Sequence, residues 1–176
     1  MSTQRQGKGE AQDTHGFLGE EFLTWLWFRW ETTGGEFRLP GGRVVGLALD
    51  DFLLFAAPSE DETEQTLRRG LPTRTAEART ALRSGRRLKK ARLLLAEGSR
   101  QWSATLDGAS LTLLGVKLPE DSEEVESDQD RTTERAANWL ALHELVQALY
   151  GQFLRERLRP DYLERVAAEQ AQWMAG

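Results

Sequence analysis

Ten lysine or arginine side chains lie between Arg68 and Arg92, together with a single acid, Glu77. This basic block carries a charge of +9, and because the whole chain carries −5, the remaining residues carry −14. A cationic cluster on an otherwise acidic protein is typical of a localised anion-binding surface, and nucleic acid is the commonest large partner of such surfaces. The acidic remainder argues against a protein that coats DNA with its whole surface.

Phosphate contact is the chemistry that these residue types favour, because it requires several flexible cations but no fixed spacing between them. Two cations lie four residues apart on one face of a predicted helix, and two more follow the end of that helix. Another two lie on the solvent side of the next predicted strand. We expect these six to form one continuous phosphate-binding surface: Arg79, Arg83, Arg86, Arg87, Lys90 and Arg92.

Three structural roles compete with this interpretation of the block. Cations near the C-terminus of a helix are favoured by its dipole. Exposed Lys and Arg also protect edge strands against aggregation. Finally, the acidic runs at 60–64 and 120–130 could neutralise the block within the chain.

Residues suited to catalysis are sparse. The chain has no cysteine and only two histidines, His15 and His143, and neither has a second histidine at ligand spacing. Asp50 and Asp51 are carboxylates of the kind that a metal-dependent nuclease needs, but adjacent strand residues point to opposite faces and a tight turn also favours Asp. The paired glycines lack the strand-to-helix context of a phosphate-binding loop. We therefore predict no enzyme, no metal and no cofactor.

The length of 176 residues fits one ordinary domain, whose core can draw on six Trp and seven Phe. The most apolar run, Phe22–Trp30, is far shorter than the roughly 20 residues that cross a bilayer, and the polar N-terminus lacks a signal-peptide pattern. We therefore expect a cytoplasmic protein without membrane contact. Residues 1–15 are predicted to be a disordered tail, and residues 119–130, with seven acids and no base, a solvated linker.

The hydrophobic pattern predicts one helix, a β-rich middle and two C-terminal helices, which together make an α+β domain. The first helix, Gly16–Glu31, is apolar nearly all round and is expected at the centre of the core, with Trp30 left open as a ring for base stacking. A short helix is predicted at Thr73–Ser84 and a helical hairpin at 131–174, while Gln65–Leu71 stays undecided. The sheet is predicted to be antiparallel with five to six strands and one wet face: Glu36–Leu39, Arg43–Leu49, Phe52–Ala57, Leu88–Ala96, Gln101–Leu106 and Ser110–Leu114.

Four stretches of the chain carry a resemblance to a known family. A short helix ends in glycine and basic residues and runs into a strand (Glu77–Leu95), a hairpin partner follows (Arg100–Asp107), and then a Leu-x-Leu strand with a lysine (Leu111–Pro119). These, with the aromatic helix Phe17–Phe28, resemble the C-terminal half of the recombination-associated protein RdgC family. The resemblance covers roughly residues 16–160, so residues 16–176 are expected to form a single RdgC-like α+β domain.

The resemblance implies a non-enzymatic, nucleoid-associated protein that binds duplex DNA with little sequence preference and acts in recombination. Full-length members form a ring-shaped dimer around DNA. Because this chain resembles only the C-terminal half, we expect a homodimer, or a partner chain that supplies the missing N-terminal half.

A second hypothesis belongs to another class of function. The chain could be a protein-interaction module or homodimerisation domain in which the basic block docks an acidic partner. The C-terminal helices would then carry the contact, since the long helix has an apolar stripe broad enough for a dimer seam.

Overall fold

The structure, a computed structural model, describes residues 14–57, 64–120 and 127–176. Residues 1–13 of the predicted disordered tail and residues 121–126 of the predicted solvated linker lie outside these ranges. The rest of both stretches is described, and helices begin there at Thr14 and Asp128. Short 3₁₀ turns lie at Pro40–Gly42 and Pro72–Arg74. The described residues contain four helices and six strands in this order: α1 (Thr14–Thr33), β1 (Glu36–Arg38), β2 (Val44–Ala56), β3 (Gln65–Arg68), α2 (Ala76–Arg83), β4 (Arg87–Glu97), β5 (Arg100–Asp107), β6 (Thr112–Lys117), α3 (Asp128–Arg157) and α4 (Val166–Ala175).

The strands form one antiparallel sheet, which confirms the predicted α+β class with an N-terminal helix and two C-terminal helices. The order is β1-β2-β4-β5-β6, and β3 also pairs with β2. Strand β4 pairs with β2 from Gly46 to Ala56, so β1 and β3 pair with the two halves of the other edge of β2. The predicted hairpins around β4, β5 and β6 are present, although β6 begins two residues later than the sequence pattern indicated.

The prediction of a turn at Asp50-Asp51 is wrong. Arg43–Leu49 and Phe52–Ala57 were expected as two strands, but they belong to the single 13-residue strand β2. The two acids lie in a bulge, because three residues of β2 between Leu49 and Leu53 lie opposite a single residue of β4 between Leu93 and Ala91. A bulge bends its strand and changes the direction of the side chains around it.

Helix α1 is the centre of the core, as its nearly uniform apolar pattern predicts. Every residue from Phe22 to Phe28 except Thr24 is at most 2% exposed. The inward residues of β4 and β5 are buried beside it, including Leu93 and Trp102. The other face of the sheet, called the outer face below, is wet as predicted, since Leu94 on the central strand β4 is 40% exposed.

A close backbone approach fixes the position of α1 on the sheet. Gly19 lies against Gly108 in the turn between β5 and β6, and a Cβ atom at Gly19 would collide with the carbonyl oxygen of Gly108. A Cβ at Gly108 would in turn lie 3.0 Å from the Cδ1 atom of Leu23. Two glycines therefore allow the helix to lie directly on the turn.

The C-terminal helices differ from the predicted hairpin 131–174. Helix α3 begins at Asp128, where the Ser127 side chain accepts a hydrogen bond from the Asp130 amide, and acids in the first turn suit the helix dipole. The chain then turns irregularly, and α4 begins only at Val166. Leu163, which the predicted hairpin included, lies before α4 and is exposed. The main contacts of α4 are with α1 and α2.

Candidate anion-binding surface

The six predicted surface residues fall into three separate places, so the expectation of one continuous surface is wrong. Arg79 and Arg83 lie on α2 and face α4. Arg86 precedes β4 and Arg87 is its first residue, while Lys90 and Arg92 lie further along this strand. Each place has a different electrostatic environment.

Arg79 and Arg83 hold the C-terminal end of α4. The Arg79 guanidinium donates to the Trp173 carbonyl at 2.8 Å and to Glu31 at 2.5 Å, and it lies over the Trp173 ring at 5.1 Å. Arg83 donates from Nε to the Met174 carbonyl at 2.7 Å. The last carbonyls of a helix lack partners within that helix. These two cations satisfy them, and this is a structural role.

Arg86 and Arg87 border a cleft beside α1. Arg87 is half-exposed, and its Nη1 atom lies 3.5 Å from Oε2 of Glu20. Arg86 is partly buried where α2 ends. Both belong to a surface that faces the helices and are separate from the outer face of the sheet.

Lys90 and Arg92 lie on the outer face, where each contacts acids. Lys90 Nζ is 2.8 Å from Oδ2 of Asp107, and Arg92 Nε is 3.7 Å from Asp50 and 4.0 Å from Asp51. Burial opposes ionisation of Asp107, but hydrogen bonds from Lys90 and from the Ala109 amide outweigh it and hold its pKa below the ordinary value. Lys90 and Arg92 are therefore fixed in place and partly neutralised.

Two further cations converge on the same place. Arg68 at the end of β3 and Arg69 just after it join Lys90 and Arg92 around an open depression of about 540 Å³, called the outer groove below. Asp51 is the one acid among the described residues that line it. Neither Arg68 nor Arg69 forms an ion pair with any residue in the described ranges. The outer groove therefore has more positive than negative charge.

The β2 bulge and the turn after β3 position these two arginines. The Arg68 guanidinium lies 5.1 Å from the centre of the Phe52 ring, directly across the β2–β3 pair. Arg69 has a φ of 70°, and its amide donates to the Asp51 carbonyl at 2.8 Å. The chain thus reverses with Arg69 held against the bulge, beside Arg92.

Sequence reasoning missed Arg68 and Arg69 as site residues although both belong to the basic block. The missing information was the pairing of β3 with the second half of β2, which the undecided segment Gln65–Leu71 did not reveal. The sequence did carry a signal for one continuous strand: Asp50-Asp51 lies between two alternating apolar runs, and neither glycine nor proline interrupts them there.

The remaining candidates give no active site within the described residues. Trp30 is partly buried against the core, so only part of its ring is open to solvent. The Nδ1 atom of His143 lies 3.1 Å from the Trp139 carbonyl of its own helix. In the described ranges no three His, Asp or Glu side chains come together as metal ligands. No helix there is both long enough and apolar enough to span a membrane.

Comparisons with protein-family models, with curated proteins and with solved structures found no match for this chain. The resemblance to the RdgC family has no support from these comparisons and stays a prediction.

Proposed function

We propose that this chain binds duplex DNA without sequence preference, through phosphate contacts made in the outer groove. The observation that carries the proposal is the convergence of Arg68, Arg69, Lys90 and Arg92 on one open depression. The cations of α2 have no part in it, because Arg79 and Arg83 are engaged with α4.

The charge balance of the outer groove favours a polyanion. Arg68 and Arg69 are exposed, and neither forms an ion pair with a carboxylate in the described ranges. Lys90 and Arg92 already contact Asp107, Asp50 and Asp51, so a phosphate would have to compete with these acids. We therefore expect two strong phosphate contacts and up to four in total.

Duplex DNA is the first polyanion to test because of the resemblance to the RdgC family. A role in recombination, a homodimer and a partner chain that supplies an N-terminal half are parts of the same proposal. Each of these parts presupposes that the chain binds DNA, and none of them requires a catalytic residue.

Fluorescence anisotropy of a labelled duplex, measured between about 50 and 200 mM salt, tests the proposal directly. Each phosphate contact contributes about −0.9 to the slope of log K against log salt concentration, so we expect a slope between about −1.8 and −3.6. Duplexes of unrelated sequence should bind with the same affinity. Lack of binding at the lowest salt concentration contradicts the proposal.

A matched pair of variants locates the surface. R68E/R69E should reduce affinity strongly and remove about 1.8 from the magnitude of the salt slope. R131E/R135E makes the same change in net charge on the exposed side of α3, four residues apart, and should alter binding far less. Equal losses in both variants would indicate attraction by net charge alone.

An acidic protein is the other partner that could use the outer groove. The interaction-module hypothesis would be favoured if the wild-type chain does not bind DNA and the R68E/R69E variant no longer binds a protein partner or no longer self-associates. Sedimentation of the wild type and R68E/R69E, with and without duplex, separates these outcomes.

A further inference from the structure

The bulge in β2 brings two neighbouring acids to the same cation of the outer groove. Adjacent residues of a regular strand point to opposite faces, so only one of Asp50 and Asp51 would otherwise reach the outer face. Here the bulged residues of β2 lie opposite the single residue Arg92 of β4, and both carboxylates lie within 4.0 Å of its Nε atom. Bulges redirect side chains and are over-represented beside functional sites. The position of both acids at Arg92 therefore calls for a functional explanation.

The two acids hold Arg92 only loosely. Its Nε atom lies 3.7 Å from Asp50 and 4.0 Å from Asp51, whereas charge-assisted hydrogen bonds between such groups measure about 2.7–2.9 Å. Neither carboxylate accepts a hydrogen bond from the described residues, among which the Arg92 guanidinium donates only to the Ser103 hydroxyl, at 3.0 Å. The attraction between Arg92 and the acids is thus Coulombic, and an anion that forms short hydrogen bonds can replace them.

The neighbouring ion pair of the groove is built differently. Lys90 Nζ lies 2.8 Å from Oδ2 of Asp107, and Asp107 also accepts from the Ala109 amide, which fixes this carboxylate to the turn after β5. The Asp51 side chain, by contrast, is 54% exposed, while that of Asp107 is 17% exposed. The acids at the bulge are therefore easier to displace than the acid at Lys90.

We propose that Asp50 and Asp51 occupy Arg92 in place of a phosphate and so limit the affinity of the outer groove for anions. In the free protein their carboxylates neutralise Arg92, and the exposed residues Arg68 and Arg69 make the first contacts with a polyanion. A phosphate that reaches Arg92 gains short hydrogen bonds but meets the repulsion of both carboxylates. This inference rests on the proposed function, because it concerns how the same groove is regulated.

A variant that keeps the shapes of both side chains but removes their charges tests the proposal. D50N/D51N should bind duplex DNA at least about threefold more tightly, and the magnitude of its salt slope should increase by about 0.9 because Arg92 becomes a full phosphate contact. E164Q/E169Q makes the same change in net charge at two exposed positions on the helical side and should match the wild type. An equal gain in both variants, or no gain in D50N/D51N, overturns the proposal.

A triple variant assigns the gain to Arg92. D50N/D51N/R92Q carries one positive charge more than the wild type, so attraction by charge alone predicts that it binds DNA more tightly. Release of Arg92 predicts instead that affinity and salt slope return to about the wild-type values, and full retention of the gain contradicts the proposal. Circular dichroism verifies that each variant is folded. Should the double variant not fold, D51N alone supplies the same test with a smaller gain.

Calorimetric titration with pyrophosphate separates failure of this inference from failure of DNA binding. D50N/D51N should bind pyrophosphate at least about threefold more tightly than the wild type, and the triple variant should lack this gain. If the wild type does not bind duplex and D50N/D51N still gains pyrophosphate affinity, the groove is an anion site limited by its two acids but not a DNA surface. If D50N/D51N binds neither duplex nor pyrophosphate better than E164Q/E169Q does, the inference is wrong.

Discussion

At the scale of single residues, two glutamates hold three tryptophan side chains in place. Glu156 on α3 accepts from the indole nitrogen of Trp25 at 2.9 Å and from Arg29 at 2.6 Å. Glu31 on α1 accepts from the indole nitrogens of Trp27 and Trp173 at 2.8 and 2.7 Å and from Arg79. A buried tryptophan needs an acceptor for its N–H group. Each glutamate therefore joins elements that are distant in sequence.

We expect E31Q to destabilise the fold by about 1–3 kcal/mol, because the amide keeps one acceptor and turns a donor towards indole and guanidinium donors. The free energy of unfolding from urea titrations measures this loss. E164Q, at an exposed site on the same molecule, should stay within about 0.5 kcal/mol of the wild type. Equal stability of E31Q and E164Q would show that Glu31 contributes little to the contact of α4 with α1.

Asp107 should make the stability of the outer face depend on acid pH. Its folded-state pKa lies below the ordinary value of 3.8, so the stability that its ionised form contributes is complete above that value. It is lost as the pH falls through the lower folded-state pKa. D107N should cost about 1 kcal/mol at pH 7, the upper end for a partly exposed ion pair.

The difference in unfolding free energy between wild type and D107N should therefore shrink below about pH 4. Glu97 loses its own contribution in the same range, because its hydrogen bond from Arg43 holds its pKa below 4.5, but it does so in both proteins. Urea titrations at pH 7, 5 and 3 compare the two chains. A difference that grows with acid would contradict the sign of this argument.

At the scale of elements, α1 and the β5–β6 turn are joined by backbone contact. We expect Gly19→Ala to destabilise the fold by about 1–3 kcal/mol or more, because its Cβ would collide with backbone that cannot move without displacing the turn. Gly151→Ala is the matched control, since a Cβ atom at this α3 glycine would approach nothing outside the backbone of its own helix more closely than the end of the Arg155 side chain, at 3.8 Å.

Gly151→Ala should stabilise the protein by about 0.5–1 kcal/mol, because alanine loses less conformational freedom in a helix than glycine does. Opposite signs in the two variants, measured by thermal and urea unfolding, are the expected result. A tolerated alanine at Gly19 would mean that α1 can move away from the sheet at little cost.

Local pattern was enough to predict most of these elements. The apolar helix α1, the β4–β5 hairpin with its buried and wet faces, and the α+β class all follow from periodicity and turn residues. The Asp50-Asp51 turn was wrong because acids favour turns locally. Here, however, the pairing of both halves of β2 with β4 keeps the chain extended. The local sequence around Asp50-Asp51 does not predict this pairing with residues about 40 positions further along the chain.

The candidate surface was only partly predictable for the same reason. Lys90 and Arg92 could be placed on the wet face by alternation along β4. Arg79 and Arg83 were predicted to belong to that surface on the assumption that their face of α2 is open to solvent. Their partners are the last carbonyls of α4, about 90 residues further along the chain. Spacing within a helix cannot show which neighbour will cover it.

At the scale of the whole molecule, α4 is the element that closes the helical side. Trp173 packs edge-on against Trp27 and Phe28 with ring centres 5.3 and 5.6 Å apart, and its indole and backbone reach Glu31 and Arg79. Aromatic packing, a cation over a ring and an ion pair thus meet at one place. The short helix is therefore part of the core structure of the domain.

We expect a chain that ends at Arg165, and so lacks α4, to be less stable by at least about 3 kcal/mol, the scale of removing one buried tryptophan. Trp27 and Phe28 would lose their cover, so binding of a hydrophobic dye should rise and tryptophan emission should shift to longer wavelength. A chain that ends at Ala175 keeps both carbonyls that Arg79 and Arg83 contact and should match the wild type. Because the outer groove lies on the sheet, a truncated chain that still folds should retain its DNA affinity. The DNA titration thus shows whether removal of α4 has also damaged the proposed phosphate surface. Equal unfolding free energies for the two truncated chains would instead show that α4 rests on the domain without stabilising it.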